Sequence, residues 1–264
     1  MHISPLDTYR FGNSFLHHFD ARVKLGLVLA FILSVSLMPI GAWPAYVLLF
    51  ALVLSASASS ELGLTFTIKR SFLALPFLFA AVPLLVTTKG PAIIRVALDS
   101  WSFSITAPGL ERFLSIALKS WLAVQMAVLL TATTPLPDIL VAMRALGIPR
   151  LLVAILGLMW RYLFVLADEA LRMMRARDAR SAAMSGKSGG TVAWRARVTG
   201  GMVGSLFLRG YERSERIYHA MLARGYDGTI RSLPLKPLSF VERLSLGIGI
   251  VTLAGLVLMA RFLG

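Results

Sequence analysis

Five apolar runs, each close to the length that crosses a bilayer, leave this chain few ways to fold. They occupy residues 25–40, 43–58, 72–88, 113–133 and 244–263. A membrane-spanning helix needs about 20 mostly apolar residues. The first two runs are short and are expected to borrow flanking residues or leave their ends at the interface. Composition agrees: 57% of the residues are hydrophobic and 15% charged, whereas soluble domains run near 45–50% and 25%. Disorder is excluded by the same figures. A net charge of +14 would suit nucleic acid if it were spread over a globular surface, but here the basic segments are separated from the apolar runs. No nucleic-acid partner is expected. The chain has no cysteine, which removes disulfides, thiolate metal sites and cysteine nucleophiles.

The first run is not expected to be a cleaved signal peptide, although Ala56-Ser57-Ala58 offers small residues. It is preceded by 24 residues, exceeds the usual core of about 7–15, and is followed at once by a second run. Between Arg144 and Arg243 stand 17 Lys/Arg against 7 Asp/Glu. Basic loops tend to stay in the cytoplasm, which places this segment, the N-terminus and the loop at 61–70 inside. The expected architecture is an all-α integral membrane protein with about five transmembrane helices. Residues 1–134 form a membrane domain of four helices, 135–237 a cytoplasmic domain of long amphipathic helices, and 238–264 a last span with its C-terminus outside.

Within 135–237, residues 138–146 read as a short helix closed by Gly147 and Pro149. A long helix follows from 150 to about 184, apolar over 151–167 apart from Arg161 and charged beyond, with Asp168 and Arg172 at i,i+4 spacing. After a Gly/Ser-rich break at 185–191, a second amphipathic helix is expected from about 203 to 224. Phe207, Tyr211, Tyr218 and Leu222 follow one face and Arg209, Arg213, Arg216 and Arg224 another, with pairs Glu212–Arg216 and Glu215–His219. Gly225 is the candidate stop. A solvated basic face near anionic headgroups would explain part of this pattern.

The two helices end in related tripeptides, Ala179-Arg180-Ser181 and Ala223-Arg224-Gly225. Small neighbours leave each guanidinium unshielded, which suits insertion of a helix end into a partner's groove. These tripeptides, Trp160-Arg161-Tyr162 through Asp168-Glu169, the stretch from Thr133-Thr134-Pro135 to Pro149, Met221 through Tyr226, and Asp20-Ala21-Arg22-Val23-Lys24 together resemble the transmembrane T component, the EcfT family, of energy-coupling factor (ECF) transporters. The likeness covers nearly the whole chain. His2 to Asn13 and Met221 to Gly228 are most similar to its cobalt-transport branch, the CbiQ type.

That resemblance implies a non-catalytic subunit of the cell (inner) membrane. It joins two ATP-binding cassette ATPase subunits to a separate substrate-binding membrane subunit of cobalt or nickel type. ATP and Mg are bound by the ATPase subunits, with no cofactor on this chain. The resemblance also assigns ATPase binding to Ala179, Arg180, Ser181, Ala223, Arg224 and Gly225. The family pattern is Ala-Arg-Gly, and here the first copy ends in Ser181.

A stand-alone membrane enzyme or channel-like transporter is the competing class. It requires catalytic or permeation groups at mid-membrane, yet the histidines (His2, His17, His18, His219) and all 13 acids fall outside the central parts of the runs. A hard-cation path needs oxygen ligands and a proton relay needs intramembrane ionisable groups, so neither metal ligands nor catalytic residues are assigned to this chain. Gly186-Lys187-Ser188 imitates the end of a phosphate loop, but the leading glycine of that motif falls on Ser181. Asp227-Gly228 is better explained as a turn. Lys119 lies inside the fourth run, where Ser115, Ser120 and Gln125 indicate packing against other helices. It is expected to snorkel to the outer interface.

Overall fold

A computed structural model describes residues 9–98, 101–180, 191–228 and 237–263. In chain order the elements are α1 (Phe15–His18), α2 (Ala21–Leu37), α3 (Trp43–Ser59), α4 (Leu64–Ser71), a 3₁₀ turn (Phe72–Ala74), α5 (Leu75–Ala81), α6 (Leu84–Thr87), β1 (Ala92–Leu98), β2 (Trp101–Thr106), α7 (Ala107–Thr133), α8 (Leu136–Ala145), α9 (Arg150–Arg180), α10 (Val192–Ala223) and α11 (Phe240–Leu263). The fold is the helical membrane architecture expected from sequence, with one antiparallel hairpin added. In that hairpin β1 pairs with β2 from Leu98 opposite Trp101 to Ala92 opposite Thr106. The stretch at 92–98 is rich in Ile and Val, residues of high strand propensity, and local pairing organises it.

Two compact units divide the described chain, one comprising Pro5–Leu146 with Leu235–Gly264 and the other Gly147–Pro234. In the first unit α2, α3, α7 and α11 enclose a core of Phe31, Val35, Leu49, Val53, Leu122, Leu129 and Leu253. Close approach of α2 and α11 depends on glycine, since a Cβ at Gly26 would stand 3.1 Å from Leu246 Cδ1 and one at Gly249 would collide with Leu27. Small residues at such crossings are how helices pack without a hydrophobic drive between them. The outward faces carry exposed Leu29, Leu33, Val47, Leu48, Ile248 and Val251, a surface suited to lipid and not to water.

By length and composition, α7, α9 and residues Phe240–Phe262 of α11 are each long and apolar enough to cross a membrane. The helices α2 and α3, at 17 residues each, reach about 25 Å at 1.5 Å per residue. Run 72–88 departs from expectation. It is not one continuous helix: it is interrupted as the 3₁₀ turn, α5 and α6, with Pro76 in the first turn of α5 and Pro83 immediately before α6. Proline has no N–H to donate and its ring collides with the preceding turn.

The Lys119 ammonium donates to the carbonyls of Met38 at 2.6 Å and Ser36 at 3.4 Å. These belong to the C-terminal end of α2, where carbonyls lack intrahelical partners and the helix dipole favours a cation. Ser115 and Gln125 are buried, as packing against other helices requires. At the other end of α2, Asp20 caps the helix by accepting from the Arg22 N–H at 2.8 Å. The Lys24 ammonium donates to the Thr133 carbonyl at 3.3 Å. α8 packs on α2, so by contact the first unit extends through Leu146, beyond residue 134.

Candidate functional site: two arginine-tipped helices

The second unit is built on α9 and α10, the two elements carrying the sequence-derived site residues. α9 is rich in Leu, Ala, Met and Arg, all strong helix formers, and continues as one helix from its apolar half into its charged half. The described part of the helix runs to Arg180, which is exposed together with Ala179. Ser181, and the continuation to 184 expected from sequence, lie outside the described residues.

α10 begins earlier than expected, at Val192 instead of near 203. Its start is set by Thr191, whose hydroxyl accepts from the Trp194 N–H at 3.3 Å, satisfying one of the free donors of the first turn. At the other end Arg224 is the C-cap. Gly225 adopts φ +80, its N–H donates to the Leu222 carbonyl at 2.9 Å, and the Tyr226 N–H donates to Met221 at 3.0 Å. A left-handed glycine closes the helix in this way at no steric cost. Ala223, Arg224 and Gly225 are therefore all exposed at a defined helix end. Among the described residues neither Arg180 nor Arg224 belongs to an ion pair.

A single carboxylate ties the helices together. Glu169 accepts from Arg172 of its own helix at 2.5 Å and from Arg209 of α10 at 2.6 Å. Those two hydrogen bonds, Arg172's first and Arg209's second, hold the Glu169 carboxyl below the usual carboxylate range. Nearby, a Cβ at Gly210 would stand 3.5 Å from Leu166 Cδ2. The close approach thus lies at Leu166, Glu169, Arg209 and Gly210. Ala176 lines an open groove of about 640 Å³ together with Arg177, Arg180, Trp194 and Met202. The i,i+4 pairs differ too, since Arg172 bonds Glu169 and not Asp168. Glu215 accepts the Tyr211 hydroxyl at 3.0 Å, and neither Glu212–Arg216 nor Glu215–His219 forms among the described residues. Spacing rules act within one helix, so they carried no signal for a pair separated by 40 residues.

The exposed aromatic face expected of α10 is present, with Phe207, Tyr211, Tyr218 and Leu222 all open. No three His, Asp or Glu side chains among the described residues come together as a metal site.

An apolar helical unit suited to lipid, joined in one chain to a pair of long helices bearing exposed arginines, defines a helical membrane protein. The sequence profile of the Cobalt transport protein family, CbiQ, matches residues 12–234, and the chain belongs to that family. It is 32% identical over 237 residues to the Energy-coupling factor transporter transmembrane protein EcfT of Listeria innocua, covering 84% of each chain. It is 28% identical over 184 residues to the Cobalt transport protein CbiQ of Rhodobacter capsulatus, covering 70% of this chain and 72% of the relative. An uncharacterized protein of Methanocaldococcus jannaschii is 31% identical over 206 residues, covering 76% and 68%. The relatives from L. innocua and R. capsulatus are named as transport proteins, as the resemblance in sequence implied.

Proposed function

We propose that this chain is the energy-coupling transmembrane subunit of an ATP-driven ECF-type importer. It passes conformational change from two ATP-binding cassette ATPase subunits to a substrate-binding membrane subunit. The observation that carries this reading is the pair of exposed arginines, Arg180 and Arg224, at the ends of α9 and α10, two long helices joined through Glu169 and Arg209. An arginine presented on a capped helix end offers a fork of donors to a carboxylate or to backbone carbonyls of a partner. The exposed aromatic face of α10 and the apolar half of α9 offer the second partner, the substrate-binding subunit, a surface with few charges to desolvate. ATP and Mg reside on the ATPase subunits and this chain contributes no catalytic group. The cargo is cobalt or another divalent transition-metal ion, a reading supported by the family and by the relative from R. capsulatus.

Affinity purification of the full chain from its native membrane tests the reading. Two copies of a nucleotide-binding subunit and one further membrane subunit are expected to accompany it. Isolation of the chain alone, with undiminished transport after loss of the neighbouring ATPase, would refute the proposal. The chain resides in the cell (inner) membrane, with its N-terminus and the segment 135–237 in the cytoplasm. A reporter fused after Asp227 should accordingly signal a cytoplasmic location and one fused after Phe262 an exterior one. A cytoplasmic signal from the second fusion would mean an even number of crossings, which α9 would supply by spanning the bilayer with residues 151–167.

A further inference from the structure

A second charged surface lies in the first unit, on α4 and the segment that precedes α1. The N-terminal segment is pinned by Arg10, whose N–H donates to the Ala132 carbonyl at 3.0 Å and whose carbonyl lies 3.0 Å from His17 Nε2. His17 is held in turn by Ser14 at 2.6 Å. This anchoring sets the Arg10 guanidinium 4.1 Å from the centre of the Phe66 ring. Arg70, one turn along α4 from Phe66, brings its guanidinium to 5.0 Å from the same ring. Two cations therefore share one aromatic ring, and among the described residues neither belongs to an ion pair. The ring attracts each cation, and among the described residues no carboxylate pairs with either to offset their mutual repulsion. The same two segments of chain carry Lys69 and three exposed phenyl groups, Phe11 at 80%, Phe15 at 73% and Phe72 at 62% exposure.

From this arrangement we infer that Arg10 and Arg70, flanking Phe66, bind the phosphate of an anionic phospholipid, with Phe11, Phe15 and Phe72 bordering its acyl chains. Guanidinium forks match phosphate oxygens in pairs. A free phosphate would gain nothing from the exposed phenyl groups, whereas an amphiphile uses both features. Juxtamembrane cations next to aromatic residues are the composition that retains acidic lipid. The inference depends on membrane residence and not on the coupling role.

The full chain, purified in detergent and mixed with equal amounts of dioleoylphosphatidylglycerol and dioleoylphosphatidylcholine, can be assayed by native mass spectrometry for retained lipid. Phosphatidylglycerol should be retained preferentially. Arg10→Gln/Arg70→Gln should lower its retention about tenfold, while Arg177→Gln/Arg197→Gln, in the other unit, should leave it unchanged. Undiminished retention in the first variant overturns the inference, as does complete displacement by millimolar inorganic phosphate, which would define a simple anion site. Should circular dichroism show the double variant unfolded, Phe66→Leu serves instead. It keeps both charges and removes the shared ring, and unchanged phosphatidylglycerol retention in it would equally overturn the site.

Discussion

The Arg180→Ala/Arg224→Ala variant is expected to reach the membrane in normal amount, to lose its ATPase subunits on purification, and to show cation uptake at background level. Insertion should survive because both side chains are exposed at helix ends and contribute no core packing. In the assembled transporter each guanidinium would be desolvated against partner carboxylates or carbonyls. Truncating one side of such a contact leaves the other unpaired, at a cost of about 2–5 kcal/mol, or about 30-fold to a few thousand-fold in affinity. Each single substitution should therefore weaken assembly, and the pair should abolish it if the two tips engage separate ATPase subunits. Co-purification and uptake in reconstituted vesicles measure the two effects independently. Normal assembly and uptake in the double variant would remove the arginine tips from the mechanism.

Fixing the two tips to each other is expected to stop transport without dismantling the complex. Closure of the ATPase pair on ATP would displace the attached tips relative to one another. Two continuous helices of 31 and 32 residues would carry that displacement to their apolar bodies. The joint formed by Leu166, Glu169, Arg209 and Gly210 gives the pair a point about which to turn, and Met173 and Met202 beside the groove repack readily as it does so. Because the chain has no native cysteine, Ala179→Cys/Ala223→Cys places the only two thiols at the tips. Linking them with a cleavable bifunctional reagent should block ATP-driven uptake, and cleaving the linker should restore it. Undiminished uptake by the linked complex would replace relative tip motion with rocking of the subunit as a whole.

Much of this organisation follows from local sequence, because helix formation is governed by local physics. Apolar run lengths located α2, α3, α7 and α11 to within a few residues. Gly147 and Gly225 marked two helix stops, since only glycine takes the left-handed conformation there without strain. The Ala223-Arg224-Gly225 end of α10 was legible for the same reason: a tip is defined by the end of its own helix. Where local signals conflicted, the outcome differed. Pro76 and Pro83 outweighed the apolar character of 72–88, and the Thr191 cap carried α10 across a glycine-containing stretch that reads as weak.

Tertiary structure decided what depends on partners distant in the chain. Lys119 had two plausible destinations by sequence, and the nearby C-terminal end of α2 gave its ammonium carbonyls to bond. Glu169 faced Asp168's role in any i,i+4 reading, yet the crossing with α10 brought it to Arg209 and made it the link between the helices. Arg10 and Arg70 are separated in sequence by α1, α2, α3 and most of α4, and the anchoring of the N-terminal segment on Ala132 brings Arg10 to the Phe66 ring that Arg70 meets one turn along α4. Sequence by itself determined the membrane character, the helical elements and their arginine ends, all set by hydrophobicity and backbone propensity over a few turns. The crossing point of the two long helices and the shared ring required the folded chain, because they are set by the packing of residues that no local period relates.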